Sequence, residues 1–183
     1  DVERARRRFT IEEYEKMVAT GVLAEDDRVE LIEGEIVEMS PIGDPHAAAV
    51  AALTNLLAHR VGDRAWLWGQ SPVRVPPRSK PQPDVALLRV RSYRSEGATT
   101  EDAVLVVEVA DTSLQYDRTV KLRLYAQAGI PEYWVVDVNT DTVEVYRSPS
   151  GEQYATRQVL ARGESVAPLA FPDAAIPIDA IFV

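Results

Sequence analysis

The chain has 183 residues, about the length of one domain, with 46% hydrophobic and 27% charged residues. That balance excludes a disordered or low-complexity chain, and no apolar run approaches the ~18 residues of a membrane-spanning helix. The absence of cysteine excludes disulfide scaffolds, thiolate metal sites and a cysteine nucleophile, and it suits the expected cytoplasmic location. A net charge of −9 is unlike that of a generic basic nucleic-acid binder. A phosphodiester partner would have to be held by a local basic patch or through bound cations. With only His46 and His59, a three-histidine zinc site is impossible.

Residues 1–8, carrying Arg4, Arg6, Arg7 and Arg8, read as a basic solvated arm, and residues 9–183 as one domain. Thr10 and Glu13 form a capping box that opens a helix ended by Gly21. Arg28–Ile32 and Glu35–Met39 read as a hairpin about Glu33-Gly34. Asp44 caps a second helix, with Pro45 at its first position, running to about Val61. Ala65–Val75 is extended, Pro76–Pro83 a loop, Asp84–Arg89 a strand, and Arg91–Asp102 an exposed loop. Ala103–Val109 is almost wholly apolar and suits a central strand buried on both faces. Leu114–Ala128 reads as a helix stopped by Gly129 and Pro131, followed by strands Tyr133–Val138, Thr142–Arg147 and Gln153–Leu160 and a tail from Pro168. This order predicts a mixed α/β (α+β) single domain on one sheet.

Glu108 stands near the end of the most hydrophobic strand, where alternation places it on one face with Val104 and Val106. A carboxylate there is costly unless it is paired, hydrogen-bonded or metal-bound. The plain alternative is a strand that ends one residue early, with Glu108 in solvent. Asp84, after Pro83, is by itself an ordinary turn residue. Next to an acid on a neighbouring strand, it makes a pair able to hold one hard divalent cation, Mg²⁺ or Mn²⁺, with the Val109 carbonyl as a further oxygen. Asp117, Lys121 and Tyr125 share one helical stripe. Lys121 is then either a surface ion pair or an ammonium held over the carboxylates, where it orients water or stabilises charge on phosphorus.

These residues resemble a known family. The runs Glu30–Ile36, Met39-Ser40-Pro41 with His46, Pro83-Asp84-Val85, Val106–Ser113, Tyr116-Asp117 with Lys121, and Tyr125 with Gly129–Asp137 recur in this order in the Uma-two family. That family is read as endonucleases of the PD-(D/E)XK, restriction-endonuclease-like superfamily and was long counted a domain of unknown function. The resemblance spans about Phe9 to Asp137. It implies a central mixed sheet flanked by helices and metal-dependent phosphodiester cleavage. Asp84 matches the first metal-binding acid and Glu108 the second. The motif lysine normally follows two residues after that acid, where this chain has Ala110, and Lys121 resembles its migrated replacement. Glu30 matches a supporting acid, and His46 falls where the family often has histidine.

At about 100° per residue, the 13 positions from His46 to His59 place them about 220° apart on their helix, too far round to share a metal. His59 reads as a helix-end residue and His46 as either surface or site rim. Glu33, Glu35 and Glu38 read as a solvated hairpin. Trp66, Trp68 and Trp134 read first as core or interface and second as base-stacking platforms. Arg74, Arg78 and Lys80 form the best local basic patch for nucleic-acid contact, extended by Arg89, Arg91 and Arg94. The expectation is a Mg²⁺- or Mn²⁺-dependent endonuclease acting on DNA as a homodimer. The alternatives are a catalytically inactive nuclease fold serving as an interaction or regulatory module, and a phosphoesterase for small substrates.

Overall fold

The computed structural model describes residues 6–24 and 26–183, so Arg4 and the start of the expected arm lie outside it. Arg6 and Arg8 lie along the hairpin, with ion pairs to Glu35. The capping box forms as expected, with Thr10 and Glu13 exchanging two bonds at the head of α1 (Ile11–Ala19). Ile11 and Tyr14 of α1 pack on Leu31. β1 (Val29–Ile32) and β2 (Glu35–Glu38) pair antiparallel, and Glu33 and Gly34 turn between them at φ of 49° and 81°. Positive φ at both central residues matches the right-handed twist of the flanking strands. α2 (Asp44–Val61) is capped by Gly43, so Asp44 lies inside the helix, one residue earlier than expected.

The remaining elements are β3 (Trp66–Gly69), β4 (Val73–Arg74), β5 (Val85–Leu88), β6 (Ala98–Thr99), β7 (Ala103–Ala110), α3 (Leu114–Tyr116), α4 (Leu122–Gln127), β8 (Glu132–Asp137), β9 (Thr142–Ser150), β10 (Gln153–Leu160), β11 (Ser165–Val166) and β12 (Ile176–Pro177). Six of them make the central mixed sheet, ordered β10-β9-β8-β7-β5-β3. Only β7 and β8 run parallel within it, which requires a crossover, and the helical segment after β7 supplies it. One face of the sheet packs on α2 through Leu53, Leu57, Val107 and Trp134. The other packs on α4 through Val106, Tyr125, Tyr133 and Val135.

Several expectations change in detail. The extended stretch from Ala65 breaks at Gln70, whose φ is 43°, so β3 joins the main sheet and β4 pairs with β6 instead. The supposed exposed loop before β7 buries Ala98, and Arg91 pins the buried Asp102 with two bonds. The helix expected from Leu114 is interrupted by a π-turn at Asp117–Lys121. The C-terminal tail is core: Ala174, Ile176, Ile178 and Ile181 are all buried. Val104 does not share a face with Val106 and Glu108. The register between β5 and β7 slips at Leu87/Leu88, and Val104 packs with Leu105 on the α2 side. A bulge of this kind places two successive residues on one face and resets the alternation that follows. No helix among the described residues is long and apolar enough to cross a membrane.

Candidate active site

β7 continues through Ala110, and Glu108 is 5% exposed, so the reading of a solvated strand end is excluded. Its side chain lies on the α4 face. Tyr125 donates its hydroxyl hydrogen to Glu108 Oε1 at 2.7 Å, and Lys121 Nζ donates to the same oxygen at 3.2 Å. Lys121 also bonds Glu30 at 2.9 Å, which ties the crossover helix to the hairpin. The Gln82 N–H donates to Glu30 at 3.0 Å. The π-turn places both Asp117 and Lys121 on the buried side of this helix, and such turns are frequent at functional sites. Ser113 donates to Asp117 at 2.6 Å.

Asp84 sits at the head of β5, paired in register so that Val85 faces Val107. Both its oxygens are engaged. The Val109 N–H donates to Oδ2 at 2.8 Å, and His46 Nε2, from the first turn of α2, lies 3.1 Å from Oδ1. That hydrogen bond raises the His46 pKa, against the opposing effect of burial. His59 is exposed and caps its own helix by a 2.8 Å contact to the Asn55 carbonyl.

The electrostatics are unbalanced. Burial pushes the Glu108 carboxyl up to about 8; Lys121 opposes this, while Asp84, Asp117 and Glu30 add to it. Burial likewise raises Asp117 to about 6, against its bond from Ser113 and the charge of Lys121. Burial disfavours the Lys121 ammonium, but Glu108, Glu30 and Asp117 together hold its pKa above the ordinary value. Tyr125 is raised by burial and then by Glu108, so it stays a donor. Glu30, Glu108 and Asp117 thus surround one buried ammonium, and the charge of Asp84 adds to the repulsion felt at Glu108.

This donor set suits a hard divalent cation, because all of its ligating groups are oxygens and an added positive charge relieves the repulsion. Among the described residues no three His, Cys, Asp or Glu side chains form a ready-made metal cluster. The groups that would hold a cation are Asp84, Glu108 and the Val109 carbonyl, with water or substrate oxygens completing the shell.

The sequence profile of a family described as "Uma2: Putative restriction endonuclease" matches residues 11–179. The chain belongs to the Uma2 family. No curated protein matches it. Among solved structures, it is similar to a putative nuclease belonging to DUF820 from Anabaena variabilis ATCC 29413. The two share 18% identity and a TM-score of 0.73, over 95% of this chain and 97% of that one, which establishes a common fold.

In this Uma2 chain Ala110, where the motif lysine would stand, is fully buried among the residues packed on α4. The ammonium near Glu108 is that of Lys121. Around the site opens a cleft of about 700 Å³, bounded by the hairpin, the loop through Pro41 and the segment from Asp111 to Asp117. Among the described residues, eight carboxylates line it against three cationic side chains, Arg28, His46 and Lys121. Arg74, Arg78 and Lys80 are not on its wall. Arg74 and Lys80 instead pair with Glu15 at 3.2 and 2.8 Å. Arg91, with its guanidinium spent on Asp102, lies over the Tyr93 ring. Of the tryptophans, Trp134 is core, while Trp66 is 53% exposed on the edge strand β3. Sequence reading overlooked Arg28, although its position two residues before Glu30 was the available signal.

Proposed function

We propose that this protein is a Mg²⁺- or Mn²⁺-dependent endonuclease that hydrolyses phosphodiester bonds of nucleic acid, with DNA as the substrate. The observation that carries the reading is the convergence of Asp84, Glu108 and Lys121 at one end of β5 and β7, inside the acid-lined cleft. Family membership supports it. Asp84, Glu108 and the Val109 carbonyl would hold the cation. When bound, the cation supplies Lewis acidity at the phosphate and a water of lowered pKa. The protein's own groups do the positioning. Val109 N–H and His46 fix the Asp84 carboxylate, and Tyr125 fixes Glu108. Lys121, steadied by Glu30, sets a positive charge beside Glu108 where negative charge grows on phosphorus. Cutting both strands of a duplex calls for two such clefts related by a two-fold axis, so a homodimer is part of this reading. The cysteine-free composition accords with a cytoplasmic setting.

Mn²⁺-dependent nicking of a supercoiled plasmid tests it. Wild type should cut, while Asp84→Ala and Glu108→Ala should not.

One observation favours a second reading. Lys121 closes on both Glu30 and Glu108, so the site is partly neutralised without any cation. A non-catalytic interaction or regulatory module could keep such an arrangement as buried structure. Such a module would bind no Mn²⁺ while remaining folded.

A further inference from the structure

Of the three cationic side chains on the cleft wall among the described residues, two are already engaged. Lys121 is 5% exposed and bonded to Glu30 and Glu108, and His46 lies against Asp84. The third, Arg28, is exposed at the mouth. It stands at the entry to β1, two residues before Glu30, and its carbonyl accepts from the Met39 N–H at 2.8 Å. The hairpin therefore fixes its backbone relative to Glu30, and Glu30 is tied to Lys121.

We infer that Arg28 is the phosphate anchor of the cleft, gripping the backbone of the nucleic-acid strand that lies across Asp84 and Glu108. The inference rests on the nuclease reading. A guanidinium offers a planar fork of donors that matches two phosphate oxygens at once. In a cleft where, among the described residues, eight carboxylates repel a polyanion and none of them ion-pairs with Arg28, this exposed cation matters more than it would on a neutral surface. The patch of Arg74, Arg78 and Lys80 cannot take this role at the site, because it is off the cleft wall.

The test is fluorescence anisotropy with a labelled DNA duplex in Ca²⁺, a hard divalent ion with the same preference for oxygen. Wild type, Arg28→Ala and Arg28→Lys are compared over a salt series. Arg28→Ala should weaken duplex binding about tenfold, the loss of one charge-assisted contact, and reduce the slope of log affinity against log salt by about 0.9. Arg28→Lys should keep the slope and recover part of the affinity. Mn²⁺ affinity by calorimetry and the thermal midpoint should not fall in either variant. Duplex binding by Arg28→Ala with wild-type affinity and slope would overturn the anchor, as would a loss of Mn²⁺ affinity large enough to explain its weaker binding. If wild type itself binds no duplex in Ca²⁺, the nuclease reading fails and the anchor with it.

Discussion

The backbone N–H of Val109 donates to Asp84 Oδ2 at 2.8 Å, joining the acid at the head of β5 to the strand that carries Glu108. The bond bridges residues 25 positions apart, and one step beyond Val85 and Val107 the β5–β7 register sets Asp84 opposite Glu108. Sheet geometry, rather than a flexible loop, therefore brings the two acids together. Asp84→Asn keeps an oxygen to accept this bond, so its thermal midpoint should stay close to that of wild type while plasmid nicking is lost. A large drop in the midpoint would make Asp84 a structural residue first.

Lys121 supports both the fold and the site. It is buried between Glu30 and Glu108 at 2.9 and 3.2 Å. Replacing it with methionine keeps the volume but leaves two buried carboxylates without their cation. Breaking a buried pair from one side costs about 3–5 kcal/mol. For a chain of this size, each kcal/mol lowers the melting midpoint by about 2–4 °C. Thermal melts should therefore show Lys121→Met down by roughly ten degrees in the absence of metal, and Lys121→Met with Glu30→Gln should recover part of that loss. Additive losses in the double variant would show that the two residues do not interact.

The cleft's charge predicts that nucleic acid and cation bind together. With eight carboxylates against three cationic groups on its wall among the described residues, the cleft by itself repels a phosphate backbone. Duplex binding should be undetectable in chelator and appear on adding Ca²⁺, each ligand tightening the other by the same factor. Equal affinity with and without Ca²⁺ would place the binding surface elsewhere.

A second buried acid gives a pH prediction away from the site. Glu144 of β9 is 1% exposed and is met by Arg118, by Arg157 at 3.1 Å and by the Tyr146 hydroxyl. Burial raises its pKa, but the bonds from Arg118, Tyr146 and Arg157 outweigh it, and the net shift is below the ordinary 4.5. A carboxylate depressed in the folded state contributes stability that is full above its unfolded pKa and is lost as pH falls through the folded one. Urea melts should show wild type losing stability below about pH 4.5, with a shallower acid limb in Glu144→Gln. Identical limbs would assign the acid transition to other carboxylates.

Much of this was legible in the sequence, for identifiable reasons. The capping box of Thr10 and Glu13 and the Glu33-Gly34 turn are local rules read from adjacent residues. Glu108 stood out because a carboxylate interrupted an apolar strand, and the structure finds it buried and bonded to Lys121 and Tyr125. What stayed hidden depended on non-local packing. The slip at Leu87/Leu88 moves Val104 to the other face and leaves no mark in the pattern of valines. The tail after Pro168 reads as loose because its strands are two residues long, yet Ile176 and Ile178 are fully buried. The basic patch around Arg74 was evident as composition, but its partner Glu15 lies 59 residues away.

Calorimetric titration of Mn²⁺ into wild type, Asp84→Ala and Glu108→Ala tests the central claim most directly. The account predicts saturable binding by wild type and its loss in both variants, with all three proteins folded. Equal Mn²⁺ binding by wild type and Glu108→Ala would contradict it.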